Sequence, residues 1–310
     1  FVKDGFQLPE AKGGMSWIDK DQVYVATDFG PGSMTTSGYP RIAKLWKRGQ
    51  KLEQAQVIFE GQPTDMAVSA YYDDTKGFER HFVSCTPAFF KNQLFLRTAQ
   101  GELKRIEVPE DAEAYAHREW LMVTLRSPWT IGGKTYPAGA LLAARFDAFM
   151  KGNRDFAVLF EPTLRTSLAG ASWTRNHLIL NVLEDVKNTL TVLTPGSKGW
   201  SRKPLPGAPG FATVSAGGVD PDEDDTYFMT VSGYLTPTTL MYGTVGKGQP
   251  QPLKQLPAFF DAKGLEVSQH FATSKDGTKV PYLQVSRKGL KLDGTNPTLL
   301  YGYGGFEVSL

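Results

Sequence analysis

Through residues 1–265 one small pattern keeps returning: a short β-rich run, a polar turn, then another β-rich run. No apolar residues there recur at the 3.6-residue spacing of an amphipathic helix, so helices are not the scaffold. Ser16–Val25 is such a unit, continued by strands over Arg41–Lys47 and Ala55–Phe59. Met66–Tyr72 opens a second, followed by His81–Cys85 and Gln93–Arg97, and Glu119–Leu125 opens a third. Turns at Gly132-Gly133 and Pro137–Gly139 lead into Ala140–Arg145. Ala171–Val182 repeats the Ser-Trp, turn, strand order of the Ser16 unit, and Asp224–Val231 repeats turn-then-strand again. Unit starts fall roughly every 45–55 residues, near the period of propeller blades, so about five blades fit. On this pattern alone a β-sandwich also remains open.

Beyond a plausible linker at 255–265, which contains Pro257 and Gly264, the strands change character. Val267–Phe271 and Val280–Val285 flank Asp276-Gly277, a strong hairpin signal. The chain then reads Pro297-Thr-Leu-Leu-Tyr-Gly-Tyr-Gly-Gly-Phe306. Leu299–Tyr301 is brief and apolar and reads as a buried strand. Gly302, Gly304 and Gly305 let the backbone turn sharply and let another group approach closely. A strand ending in such a turn is how α/β hydrolases present N–H groups to a developing oxyanion, and Tyr303 within it can add a phenolic donor. A tyrosine that merely caps the strand is the competing reading.

Composition narrows the partners. A net charge of +2 without a long Lys/Arg cluster implies no nucleic-acid footprint. No run approaches about eighteen apolar residues, so no helical membrane span is expected. Cys85 is the only cysteine, which excludes an internal disulfide and any cysteine-based metal cluster. It reads as a small buried hydrophobe or, alternatively, a reactive thiol. A lone cysteine fits the cytoplasm and is compatible with a periplasm. The start at Phe1, without methionine or signal peptide, and the stop just after a turn both read as cuts in a longer protein.

Other chemistry is sparse. The histidines His81, His117, His177 and His270 are scattered without ligand spacing, so no metal is expected. Asp220–Asp225 is acidic but lacks the sixth-position glycine of a calcium loop and has Val231 where the closing glutamate belongs, so it reads as a solvated turn. Gly132-Gly-Lys-Thr135 lacks the upstream glycine of a phosphate loop, and Gly302-x-Gly304-Gly305 is no dinucleotide fingerprint. No cofactor is expected. Gly-x-Ser-x-Gly, the elbow of a serine hydrolase, occurs nowhere in the 310 residues. Trp17, Trp46, Trp120, Trp129, Trp173 and Trp200 read as packing between blades.

The string Leu299–Phe306 resembles the opening of the peptidase domain of the prolyl oligopeptidase family. Ser274–Pro281 and Lys288–Thr295 resemble that family's lead-in, and Leu183–Leu190 and Tyr227–Pro237 its propeller strands. The resemblance is strong over 160–310 and looser over 1–160. It implies a partial seven-bladed propeller over 1–262, then the first antiparallel strands of an α/β-hydrolase domain over 263–310, an all-β piece. It also implies a serine peptidase acting on short peptides, with the propeller excluding folded proteins. Tyr303 matches the family's oxyanion tyrosine, while Ser, Asp and His would follow beyond Leu310, in the remainder of the peptidase domain. The piece alone is therefore expected to be inactive. Gly305-Phe306 resembles the proline-specific branch; the oligopeptidase B branch, with basic-residue specificity, tends to read Gly-Ser-Tyr there. A non-catalytic propeller acting as a binding scaffold is the alternative of a different class.

Overall fold

The computed structural model describes Val2 and residues 5–303. It packs as two compact units, 1–161 and 162–310. The first unit contains three four-stranded antiparallel sheets. One runs Gly14–Asp19, Gln22–Ala26, Ile42–Lys47, Gln56–Glu60, and the next Ala67–Asp73, Arg80–Ala88, Lys91–Arg97, Leu103–Arg105. The third runs Glu113–His117, Trp120–Thr124, Leu141–Arg145, Ala157–Phe160. In every case each strand pairs with the next of its own sheet, so the sheets are simple meanders. The second unit adds Thr166–Trp173, Leu178–Glu184, Lys187–Gly196, Gly199–Pro204, then Ala212–Gly218, Thr226–Gly233, Thr239–Thr244, Gln251–Gln255. A two-stranded hairpin, Leu265–Thr273 with Lys279–Arg287, follows residues 256–264, which carry no strand.

The turns form where their chemistry demands. Gly132 and Gly133 sit at φ 60° and 76°, the left-handed pair of a tight two-residue hairpin turn, which is awkward for residues with a Cβ. They join Trp129–Ile131 to Lys134–Tyr136, a small hairpin inserted into the third sheet that runs of apolar residues did not reveal. Phe146–Met150 is an α-helix of five residues, too short to display a helical period. Its Phe146 and Phe149 are buried.

Within each unit neighbouring sheets stack face to face, and the two-residue period of a strand decides which core each side chain enters. Val83 and Cys85 of the second sheet pack with Tyr24 and Ala43 of the first. Phe82, on the opposite face, packs with Leu121, Val123 and Leu142 of the third. Ile179 and Val192 of the fourth sheet meet Val214, Tyr227 and Met229 of the fifth. Central strands are buried on both faces, and Leu121, Met122 and Val123 are all inaccessible. That explains their continuous apolar runs in place of alternation. Outer strands such as Gln251–Gln255 are exposed throughout.

The tryptophans divide. Trp46, Trp120 and Trp173 are buried, as expected, but Trp17 is 59% exposed and leans edge-on against Phe6, 5.7 Å away. Its strand, Gly14–Asp19, is the edge of its sheet and carries no fully buried residue.

Polar ties lock the sheets together. From the turn just before Thr226–Gly233 Asp225 reaches the turn between Thr166–Trp173 and Leu178–Glu184, accepting from Thr174 Oγ1 at 2.9 Å, Asn176 N at 2.7 Å and Asn176 Nδ2 at 2.8 Å. Burial pushes the Asp225 carboxyl up, but these donors and nearby His177 outweigh it and hold it below the usual carboxylate range. A depressed carboxyl contributes stability above its unfolded-state pKa, and that contribution is lost as pH falls through the lower folded value. Asp225→Ala is expected to cost about 2–3 kcal/mol at pH 7, because Thr174 is inaccessible and loses a charged acceptor. In urea unfolding the penalty should shrink below about pH 4; a pH-independent difference would contradict the ionic origin.

Candidate functional site

The residue singled out by the sequence, Tyr303, lies at the end of a segment without regular strand. After Arg287 the chain turns at Asp293, whose Oδ1 accepts from Thr295 N at 3.1 Å and Thr295 Oγ1 at 2.7 Å. Asn296 Nδ2 donates to Lys291 O at 2.7 Å, fixing the next bend. The expectation of a buried strand at Leu299–Tyr301 is corrected here. These residues pair with no strand among the described residues, and Leu299, Leu300 and Tyr301 are 92%, 92% and 81% exposed. An apolar run becomes a buried strand only when a neighbouring strand takes up its backbone groups and a second layer covers its side chains. Neither is present among the described residues.

Tyr303 itself is 54% exposed, and a Cβ on Gly302 would meet nothing within 4 Å. Gly304, Gly305 and Phe306, the rest of the expected turn, lie outside the described residues.

The remaining candidate groups are dispersed. His81 bonds Tyr24 Oη through Nδ1 at 2.9 Å and stacks on Tyr72. His117, in the third sheet, has its pKa lowered to about 4 by burial and by Arg118. His177 Nδ1 is 2.7 Å from Thr194 Oγ1, and His270 Nε2 is 2.9 Å from Ser268 Oγ. The four therefore belong to four separate local networks. Cys85 is buried, and burial, with the carboxylate of Asp65 beside it, pushes its thiol up to about 12. A thiol so protonated is no nucleophile at neutral pH.

Within the second unit an open cleft of about 890 Å³ lies between the fourth sheet and the C-terminal hairpin. Arg165, Asp185 and Val186 line one side, Phe271, Lys279 and Pro281 the other. Tyr303 is not among its lining residues. Asp185 and Val186 lie inside Leu183–Leu190, the string that resembles propeller strands, but the structure places a tight turn there that Asp-Val, carrying no turn signal, did not announce.

Residues 1–256 match the model of the N-terminal β-propeller domain of prolyl oligopeptidase. The chain belongs to the prolyl oligopeptidase family. It is 38% identical, over its whole length, to an uncharacterised peptidase of Sinorhizobium fredii, of which it covers 44%. Against the structure of a post-proline cleaving enzyme from Rickettsia typhi it superposes with a TM-score of 0.82 at 28% identity, covering 99% of this chain and 47% of that one. A stretch of 102 residues, 33% of the chain, is 37% identical to a prolyl endopeptidase of Elizabethkingia miricola. The chain thus spans about half the length of the relatives it matches along its whole length. For this prolyl oligopeptidase relative, the succession of antiparallel meanders is the family's propeller, in partial form, followed by an antiparallel hairpin.

Proposed function

We propose that this chain is the substrate-gating propeller and the entry into the catalytic domain of a serine peptidase that cleaves short peptides after proline. The observation carrying this reading is the likeness, along 99% of the chain, to a post-proline cleaving enzyme. In this reading a serine beyond residue 310 attacks the peptide carbonyl, a histidine moves the proton, and Tyr303 donates its phenolic hydrogen to the tetrahedral oxyanion beside a backbone N–H. The 310 residues contain no Gly-x-Ser-x-Gly, so by themselves they hold one donor of the site and not its nucleophile. The remainder of the peptidase domain covers the hairpin, whose Phe271, Val280, Tyr282 and Val285 are all more than 40% exposed. A two-stranded hairpin is marginal without such cover.

The test compares chromogenic peptides carrying proline or arginine before the scissile bond, using the full-length parent and residues 1–310. Proline-selective cleavage by the parent and none by the shorter chain is the expected result. Arginine preference would move the reading to an oligopeptidase B-like specificity, and an inert parent to a scaffold.

A further inference from the structure

The tip between Leu178–Glu184 and Lys187–Gly196 is built from unusual residues. Asp185 and Val186 sit at φ 47° and 62°, the left-handed pair of a tight hairpin turn, with Glu184 opposite Lys187. Such tips ordinarily take Asn-Gly, and a residue branched at Cβ is an outlier there. A conformation of this kind persists only where its surroundings over-determine it. Two sets of contacts do so. Arg165 O accepts from Asp185 N at 3.0 Å, while the Arg165 guanidinium grips the Asp185 carboxylate through Nε at 2.8 and 3.0 Å and through Nη2. From the other side, Gln269 Nε2 donates to Asp185 O at 2.6 Å. Gln269 lies mid-strand in the C-terminal hairpin, opposite Leu283.

We propose that this turn is a clasp: Arg165 fixes the Asp185–Val186 tip in a strained shape, and its carbonyl holds the C-terminal hairpin through Gln269. The segment 288–303, which ends at Tyr303, starts where that hairpin ends at Arg287, so the clasp fixes the base from which Tyr303 is placed. Arg165, Asp185 and Gln269 are thereby positioning residues for the oxyanion donor, a role that rests on the reading of Tyr303 above. The adjoining cleft, with Phe271, Lys279 and Pro281 on its hairpin side, lies beside the clasp.

The experiment uses the full-length parent with Gln269→Glu, which replaces the donor by an acceptor, and Gln269→Leu, its uncharged counterpart. Amide exchange across 265–287 should accelerate about three- to tenfold in both, the effect of losing one net hydrogen bond. Turnover should fall by a similar factor with KM unchanged, the mark of an interaction made in the transition state. Val186→Gly, which keeps the turn and removes its strain, should leave exchange equal or slower. Unaltered exchange in the Gln269 variants would overturn the clasp, and faster exchange with unaltered turnover would overturn its positioning role. If the unsubstituted parent cleaves no peptide, the peptidase reading and the positioning role both fall, and exchange alone still decides whether the turn clasps the hairpin.

Discussion

Tyr303→Phe in the full-length parent is expected to lower turnover by ~10²–10³, the usual loss for a single oxyanion donor. The substitution removes one oxygen and leaves the ring. Because Tyr303 is 54% exposed and follows a segment without strand pairing, its hydroxyl supports no buried packing among the described residues. Stability should therefore stay the same while activity drops, which separates a catalytic donor from a structural cap. kcat and kcat/KM should fall together, because the oxyanion exists only in the transition state and its intermediate. Thermal unfolding and steady-state kinetics on the same samples provide the check. Unchanged turnover would leave Tyr303 a bystander in a glycine-rich turn, and a lowered melting temperature would make it a structural residue.

What could be read in advance follows from how local each cause is. The Gly132-Gly133 and Asp276-Gly277 turns were legible because their backbone conformations nearly dictate the residue type, and Gly277 does sit at φ 87°. Strands such as His81–Cys85 and Val280–Val285 were legible from short apolar runs bounded by polar turns, and they extend a residue or more beyond those runs at each end. Leu299–Tyr301 misled for the opposite reason: its apolar pattern describes what the segment is suited to pair with, and pairing is a property of a second strand. Trp17 misled likewise, since a tryptophan on an edge strand has packing on one side only.

The Asp185–Val186 tip could not be found from residue preference at all. Its shape is imposed by Arg165, twenty positions away, and by Gln269, eighty-four positions away. Tyr303 was reached by a different route, through the resemblance of a short string, and the neighbouring geometry does not duplicate that information. The succession of strands and turns was thus readable from periodicity and the propeller from the resemblance, whereas the polar ties that hold neighbouring elements depend on contacts across the sequence.

Gly218→Ala is expected to destabilise the chain by about 3 kcal/mol or more, the consequence of overpacking where nothing can yield. A Cβ at Gly218 would stand 2.0 Å from Trp173 O, 3.0 Å from Trp173 C and 3.2 Å from Thr174 Cα. All three are backbone atoms, so no rotamer change relieves the clash. The approach is close because the strands Thr166–Trp173 and Ala212–Gly218 meet at their ends, where Gly218 N donates to Ser172 Oγ at 3.2 Å. Making room would part the two sheets at the point where Asp225 also ties them, so both contacts would suffer at once. Gly217→Ala should be milder, since its Cβ would lie 3.3 Å from Ser172 Oγ, the end of a side chain that can rotate. Gly170→Ala should change little, as nothing lies within 4 Å of the added methyl. Urea denaturation of the three variants should therefore rank Gly218 far above Gly217 and Gly170. A Gly218 variant as stable as the Gly170 one would mean that these two sheets are not held in the close register that excludes a Cβ.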